Sequence, residues 1–222
     1  MSSNQAFLAL FFDAPLLSFG VGSKFDRRET LGFPSRGAVT GLVAAALGMA
    51  RDDCAGLARL AQLKMTGIAF PSAPGSLLGD YHTVGGGYSP DELRSIVATA
   101  DGGRGGTVVT DRYYLADGKF AAVLSGEPGF LNEIGTALLN PVWGGWIGRK
   151  NCLPATPVFQ GVFDSEAAAL AKLKTLLKAE DGNAACRLWD ECPLEAPDAV
   201  SYPDIPVDWA RRTFHPRAVR ER

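Results

Sequence analysis

The stretch Ala6-Phe7-Leu8-Ala9-Leu10-Phe11-Phe12 is apolar almost throughout and short, the pattern of a strand buried inside a sheet. Residues 13–33 follow as a long polar loop. A helix over 35–48 comes next, with Ser35 as N-cap and Pro34 fixing the entry of the chain. Gly48 stops it. Ala38, Gly41, Ala44, Ala45 and Ala46 leave its surface nearly bare, so a sheet or another backbone can approach closely. Asp52 or Asp53 caps a second helical stretch carrying Leu57, Leu60 and Leu63. Residues 65–70 read as a strand ended by Pro71-Ser72-Ala73-Pro74-Gly75, and 77–83 as another.

Further along, residues 84–106 hold seven glycines and little periodic apolar character, which predicts a long excursion or protruding hairpin. Residues 107–115 and 120–125 flank Ala116-Asp117-Gly118-Lys119, and Asp-Gly suits the type I′ turn of a hairpin. Residues 130–139 make an amphipathic helix and 158–163 a strand. Ser165 caps a helix over 166–178, with Leu170, Leu173, Leu176 and Leu177 inward. No internal repeat is present. This order fits an α+β, ferredoxin-like (RRM-like) sheet with helices on one face and an irregular C-terminal part. The expected division is 1–150 for that sheet and its excursion, with 151–222 as a smaller part packed on it.

A chain of 222 residues can build one sizeable core. No apolar run approaches the roughly 20 residues of a membrane span. The start, Met1-Ser2-Ser3-Asn4-Gln5, lacks the basic region of a secretion signal. Cys54, Cys152, Cys186 and Cys192 form no CxxC pair and no metal spacing with His82 or His215. The expectation is a cytoplasmic protein with idle thiols, no metal and no cofactor. Net charge is −2, but Arg211, Arg212, Arg217, Arg220 and Arg222 face Glu221 alone in the last twelve residues. The rest of the chain is therefore acidic. That balance suits a protein touching nucleic acid at one place, not a free non-specific binder.

Three places carry chemistry. Arg28-Glu29-Thr30-Leu31-Gly32-Phe33-Pro34-Ser35-Arg36 puts two guanidiniums and two hydroxyls at a helix N-terminus, where backbone donors and the helix dipole favour anions. The same residues also fit a solvated loop with ion pairs to Asp26 and Glu29. Gly148-Arg149-Lys150 is basic and follows Trp143 and Trp146, side chains that can stack on unpaired bases. The alternative is a surface loop over core tryptophans. Tyr81-His82 could supply a general base or acid for metal-independent RNA cleavage, or a structural hydrogen bond or RNA contact. Gly102-Gly103-Arg104-Gly105-Gly106 lacks the GxxxxGK[ST] order of a phosphate loop.

Taken together, Arg28-x-Thr30 with Phe33-Pro34-Ser35-Arg36, Gly48-x-x-Arg51-Asp52-Asp53, Asp80-Tyr81-His82-Thr83-Val84, Thr110-x-Arg112-x-Tyr114-Leu115 and Gly148-Arg149-Lys150-Asn151-Cys152 followed by Pro154 and Pro157 closely resemble the CasD family of the type I-E CRISPR surveillance complex, Cascade. That family belongs to the RAMP superfamily of ferredoxin-like RNA-binding proteins. The resemblance runs from about Phe7 to Phe163 and, more loosely, over 209–217. It implies a cap on the 5′ handle of the crRNA, with residues 84–106 as a thumb hairpin. It also implies RNA-facing roles for Lys24, Arg27, Arg28, Thr30, Ser35, Arg36, Tyr81, His82, Thr83, Arg112, Trp143, Arg149 and Lys150. The implied partners are crRNA, the Cascade backbone and large subunits, and target DNA through the complex, with no membrane. No catalysis is implied. The alternatives are a metal-independent endoribonuclease of the type I-C kind and a purely protein-binding scaffold.

Overall fold

In the computed structural model, which describes residues 5–21, 26–84, 107–177 and 186–222, the N-terminal apolar run is strand β1 (Ala6–Asp13). It lies between β7 (Lys119–Gly126) and β8 (Phe159–Phe163), antiparallel to both. β4 (Lys64–Ala69) pairs with β7 on its far side, and β9 (Arg187–Cys192) pairs with β4. β11 (Thr213–Glu221) and β10 (Val200–Asp208) complete a seven-stranded antiparallel sheet in the order β10-β11-β9-β4-β7-β1-β8. Its two faces are both packed. Leu8, Leu10 and Phe12 point to one core, and Ala9 and Phe11 to the other, as the period of two requires.

Helices α1 (Arg36–Leu47), α2 (Cys54–Ala61) and α3 (Pro128–Leu139) serve the first core, through residues such as Val43, Leu60, Leu131 and Ile134. The expectation of helices on one face is corrected by α4 (Glu166–Lys174), which buries Ala169 and Leu173 against the opposite face. The reason is in β1 itself: a strand apolar at odd and even positions needs cover on both sides. Local capping follows the sequence closely. Ser35, Asp53 and Ser165 accept from the backbone N–H three residues on, and Gly48 ends α1 at φ 72°.

A second sheet is built on β6 (Val108–Ala116). β5 (Ser76–Val84) runs antiparallel along one edge of β6, from Ser76↔Ala116 to Val84↔Val108. On the other edge lie β2 (Leu16–Leu17), antiparallel, and β3 (Arg27–Arg28), parallel. The expected 107–125 hairpin is therefore wrong. β6 and β7 follow one another through Asp117 at φ 55° but belong to different sheets. The polar run Thr110-Asp111-Arg112 could not enter a sheet packed on both faces, whereas Phe120-Ala121-Ala122-Val123-Leu124 could.

Two further expectations change. Residues 13–33 are not simply a polar loop, because they form β2 and β3 and place Leu17 and Phe19 fully in the core. The C-terminal part is not irregular, and a boundary at 150 would divide one sheet that takes β8 to β11 from beyond it. Pro203, Pro206 and Pro216 hide these strands in the sequence. They are tolerated because β10 is the edge strand, and β11 pairs with β9 only at residues 218–221. The expected thumb, beyond Val84, lies outside the described residues.

Candidate nucleic-acid interface

Register on the second sheet sets the site. Arg28 on β3, Arg112 on β6 and Asp80 on β5 are aligned across three strands. His82 and Thr110 form the next row on the same face. Arg112 donates from Nε to Thr110 Oγ1 at 3.0 Å, and His82 Nδ1 lies 3.5 Å from Asp80 Oδ2. Arg27, Asp111 and Tyr81 form the adjoining row, which alternation turns to the opposite face. There the Arg27 guanidinium lies 5.2 Å from the centre of the Tyr113 ring and 3.0 Å from Glu29 Oε1. Tyr81 is 71% exposed, with Leu77, Thr83 and Val84 also exposed along β5.

The turn after Ile147 docks against this sheet. Gly148 has φ 89°, and a Cβ there would stand 1.7 Å from the Ser18 carbonyl oxygen, so the position requires glycine. Cys152 N–H donates to Arg149 O, and Ile147 N–H to Cys152 O, both at 2.9 Å. Arg149 Nη1 donates to Tyr113 O at 2.9 Å, and Nη2 to Arg28 O at 2.8 Å and Glu29 O at 3.3 Å. Its guanidinium stacks 4.6 Å from the Tyr114 ring centre, and Asn151 Nδ2 donates to Tyr114 Oη at 3.0 Å. Lys150 is exposed, with Nζ 5.7 Å from the Trp146 ring centre. Cys152 is fully buried, and burial pushes its thiol up from the ordinary range.

Three expected contacts turn inward. Arg36 is 3% exposed and donates to Glu191 Oε1 at 3.0 Å, Leu60 O at 2.7 Å and Leu63 O at 2.6 Å. Burial lowers its pKa from the ordinary arginine range, against the raising effect of Glu191. The expectation that it reaches phosphate is corrected: the guanidinium is buried, with Nη1 and Nη2 bonded to acceptors inside the protein. The anion at the α1 N-terminus is the chain's own Asp204, whose Oδ2 accepts from Arg36 N–H at 2.7 Å and from Arg217 Nη2 at 2.7 Å. Ser35 is fully buried as the N-cap. Thr30 Oγ1 accepts from Phe19 N–H at 2.9 Å and donates to Leu31 O at 3.2 Å, leaving no proton for a phosphate.

Trp143 stands apart from the sheet rows, half-exposed at the end of α1, where its N–H donates to Ala45 O at 3.2 Å. Lys24 lies outside the described residues. Of the expected contacts, the fold gathers Arg27, Arg28, Tyr81, His82, Thr83 and Arg112 on one small sheet, with Arg149 at its edge. The sequence motifs did not assign Asp80, Tyr113, Tyr114 or Asn151 to the site, although Asp80, Tyr114 and Asn151 lie within them and that proximity was the available signal. Among the described residues, no group of three His, Cys, Asp or Glu side chains is placed to share a metal ion, and no helix is long and apolar enough to cross a membrane.

Residues 7–220 match the family described as CRISPR-associated protein (Cas_Cas5). The chain belongs to that family. Cas5-family kinship extends to individual proteins. The chain is 28% identical over 167 residues to the CRISPR system Cascade subunit CasD of Escherichia coli K12, covering 71% of each. A solved chain described as part of a CRISPR RNA-guided surveillance complex superposes with a TM-score of 0.75 at 30% identity, covering 97% of this chain and 89% of the other. A second, described as a Cas protein crystal structure, gives 0.71 at 28% identity, with 97% and 93% covered.

Proposed function

We propose that this Cas5-family chain is a non-catalytic, cytoplasmic subunit of a Cascade-type surveillance complex that binds and caps the 5′ handle of crRNA and helps hold it for target DNA recognition. The observation that carries the reading is the β3–β6–β5 surface. Arg28 and Arg112 stand side by side on one face, with His82 in the next row and the buried Thr110 hydroxyl accepting from Arg112 Nε beneath them. Guanidiniums make charge-assisted contacts to phosphate oxygens, which fix register along a strand. Arg112 has no ion-pair partner among the described residues. On the opposite face, Tyr81 is largely exposed and offers its ring to a splayed base. The relatives' descriptions as a Cascade subunit and as part of an RNA-guided complex support the same assignment.

The nuclease reading loses support from the register. Tyr81 and His82 are consecutive residues of β5, so their side chains leave the sheet in opposite directions. They cannot act as base and acid on one phosphodiester. The test is binding of the full-length protein to labelled CRISPR-repeat RNA from its source genome, in EDTA, across a salt series. Replacing Arg28 and Arg112 together with alanine should lower the slope of log K on log salt by about two. Unchanged affinity would favour the scaffold reading, and site-specific cleavage of the RNA would favour the nuclease.

A further inference from the structure

We infer that Arg149 is a positioning residue: it clamps the β3 backbone onto β6 and so sets where Arg28 stands, instead of gripping RNA itself. The functional part of this inference rests on the RNA-binding reading above. β3 is two residues long, too short to hold itself on a sheet edge. Its ladder to β6 covers Arg27↔Asp111 and Arg28↔Arg112, with one flanking bond from Asp111 N–H to Asp26 O at 2.7 Å. Arg149 adds a bridge from a different part of the chain. One guanidinium nitrogen bonds β6 at Tyr113 O, and the other bonds Arg28 O and Glu29 O.

Donor counting separates clamp from grip. Both Nη2 hydrogens are taken by the Arg28 and Glu29 carbonyls, and one Nη1 hydrogen by Tyr113. A guanidinium holds phosphate bidentately through Nη1 with Nη2, or Nη2 with Nε, and each mode needs an Nη2 hydrogen. One face of the ion also covers the Tyr114 ring, which Asn151 fixes from its hydroxyl end. The turn that delivers the guanidinium is itself closed by the Cys152–Arg149 and Ile147–Cys152 backbone bonds and admits only glycine at 148. Gly148, Arg149, Asn151 and Cys152 thus each have an internal task, Cys152 fully buried and Arg149 half-buried, while the Lys150 amine is exposed beside the Trp146 ring.

Arg149→Lys keeps the charge but loses the planar fork and the stack. Amide exchange of the RNA-free, full-length Arg149→Lys and Arg149→Ala proteins should quicken at Asp111 and residues 26–31 while β1 and β7 stay protected. In RNA binding, both variants should lose about tenfold, as expected for misplaced charge-assisted contacts. In an Arg28→Ala background, the further loss on changing Arg149 should shrink to about twofold, because the two residues act through one contact. Unchanged exchange at 26–31 overturns the clamp. So does an Arg149→Lys protein that binds like wild type, or additive losses in the double variant, which mark a direct phosphate contact. If wild-type protein binds no repeat RNA, the function proposed above fails, and the exchange result alone decides the clamp. If Arg149→Ala does not fold, Arg149→Lys carries each comparison.

Discussion

Replacing Arg36 with alanine should destabilise the protein itself, before any RNA is present. From α1, the guanidinium holds Glu191 on β9, the Leu60 carbonyl on α2 and the Leu63 carbonyl just before β4. Without it, Leu60 O and Leu63 O lose their charged donor. Among the described residues, Glu191 then keeps the Met65 N–H at 3.2 Å and Arg217 Nη1 at 3.9 Å. Removing one partner of a buried ion pair costs about 3–5 kcal/mol. Glu191 is 21% exposed, so water offsets part of its loss, and the lower end, about 3 kcal/mol, is the expected cost. For a chain of this size that is a fall in Tm of roughly 6–12 °C. The assay is thermal unfolding followed by circular dichroism on RNA-free protein, with a urea titration to check that the m-value is unchanged. An Arg36→Ala protein that melts within about 2 °C of wild type, yet binds repeat RNA more weakly, would refute the reasoning. It would return Arg36 to the surface as a phosphate ligand.

Gly148→Ala should cost about 2–4 kcal/mol through backbone strain and a clash, since its Cβ would stand 1.7 Å from Ser18 O and 2.8 Å from the Ser18 carbonyl carbon; a wild-type Tm would refute this geometry of the turn. Glu127 caps α3 by accepting from Gly129 and Phe130 N–H, each at 2.7 Å, and these backbone donors hold its carboxyl below the ordinary glutamate range. A carboxylate with a depressed folded-state pKa stabilises above the unfolded value and loses that contribution as pH falls through the folded value. Wild type should therefore melt above Glu127→Gln at neutral pH, with the gap closing in acid below the ordinary glutamate range; a gap independent of pH would show that the cap is not the cause.

The sequence by itself determined the local features of this protein. The buried strand at Ala6-Phe12, the caps at Ser35, Asp53 and Ser165, and the stop at Gly48 all depend on residues within a turn of one another. Short-range hydrogen bonding and period-two or period-3.6 patterning suffice to specify them. The small-sheet residues Arg28, Tyr81, His82 and Arg112 were legible as a group through their motifs, although nothing local says that β3 would meet β6 in parallel. Tertiary structure decided which way each arginine points. Arg36 turns inward because its carbonyl acceptors lie on α2 and just past it, and its carboxylate partner lies 155 residues away; the acceptor for its own N–H lies 168 away. Arg149 is committed to carbonyls 36 and 121 residues away. Asp117-Gly118 has the chemistry of a hairpin turn, yet it hands the chain from one sheet to another because only β7 is apolar enough to be buried on both faces. A guanidinium has the same composition whether it meets solvent or a buried carboxylate, and only the arrangement of distant segments around it chooses between the two.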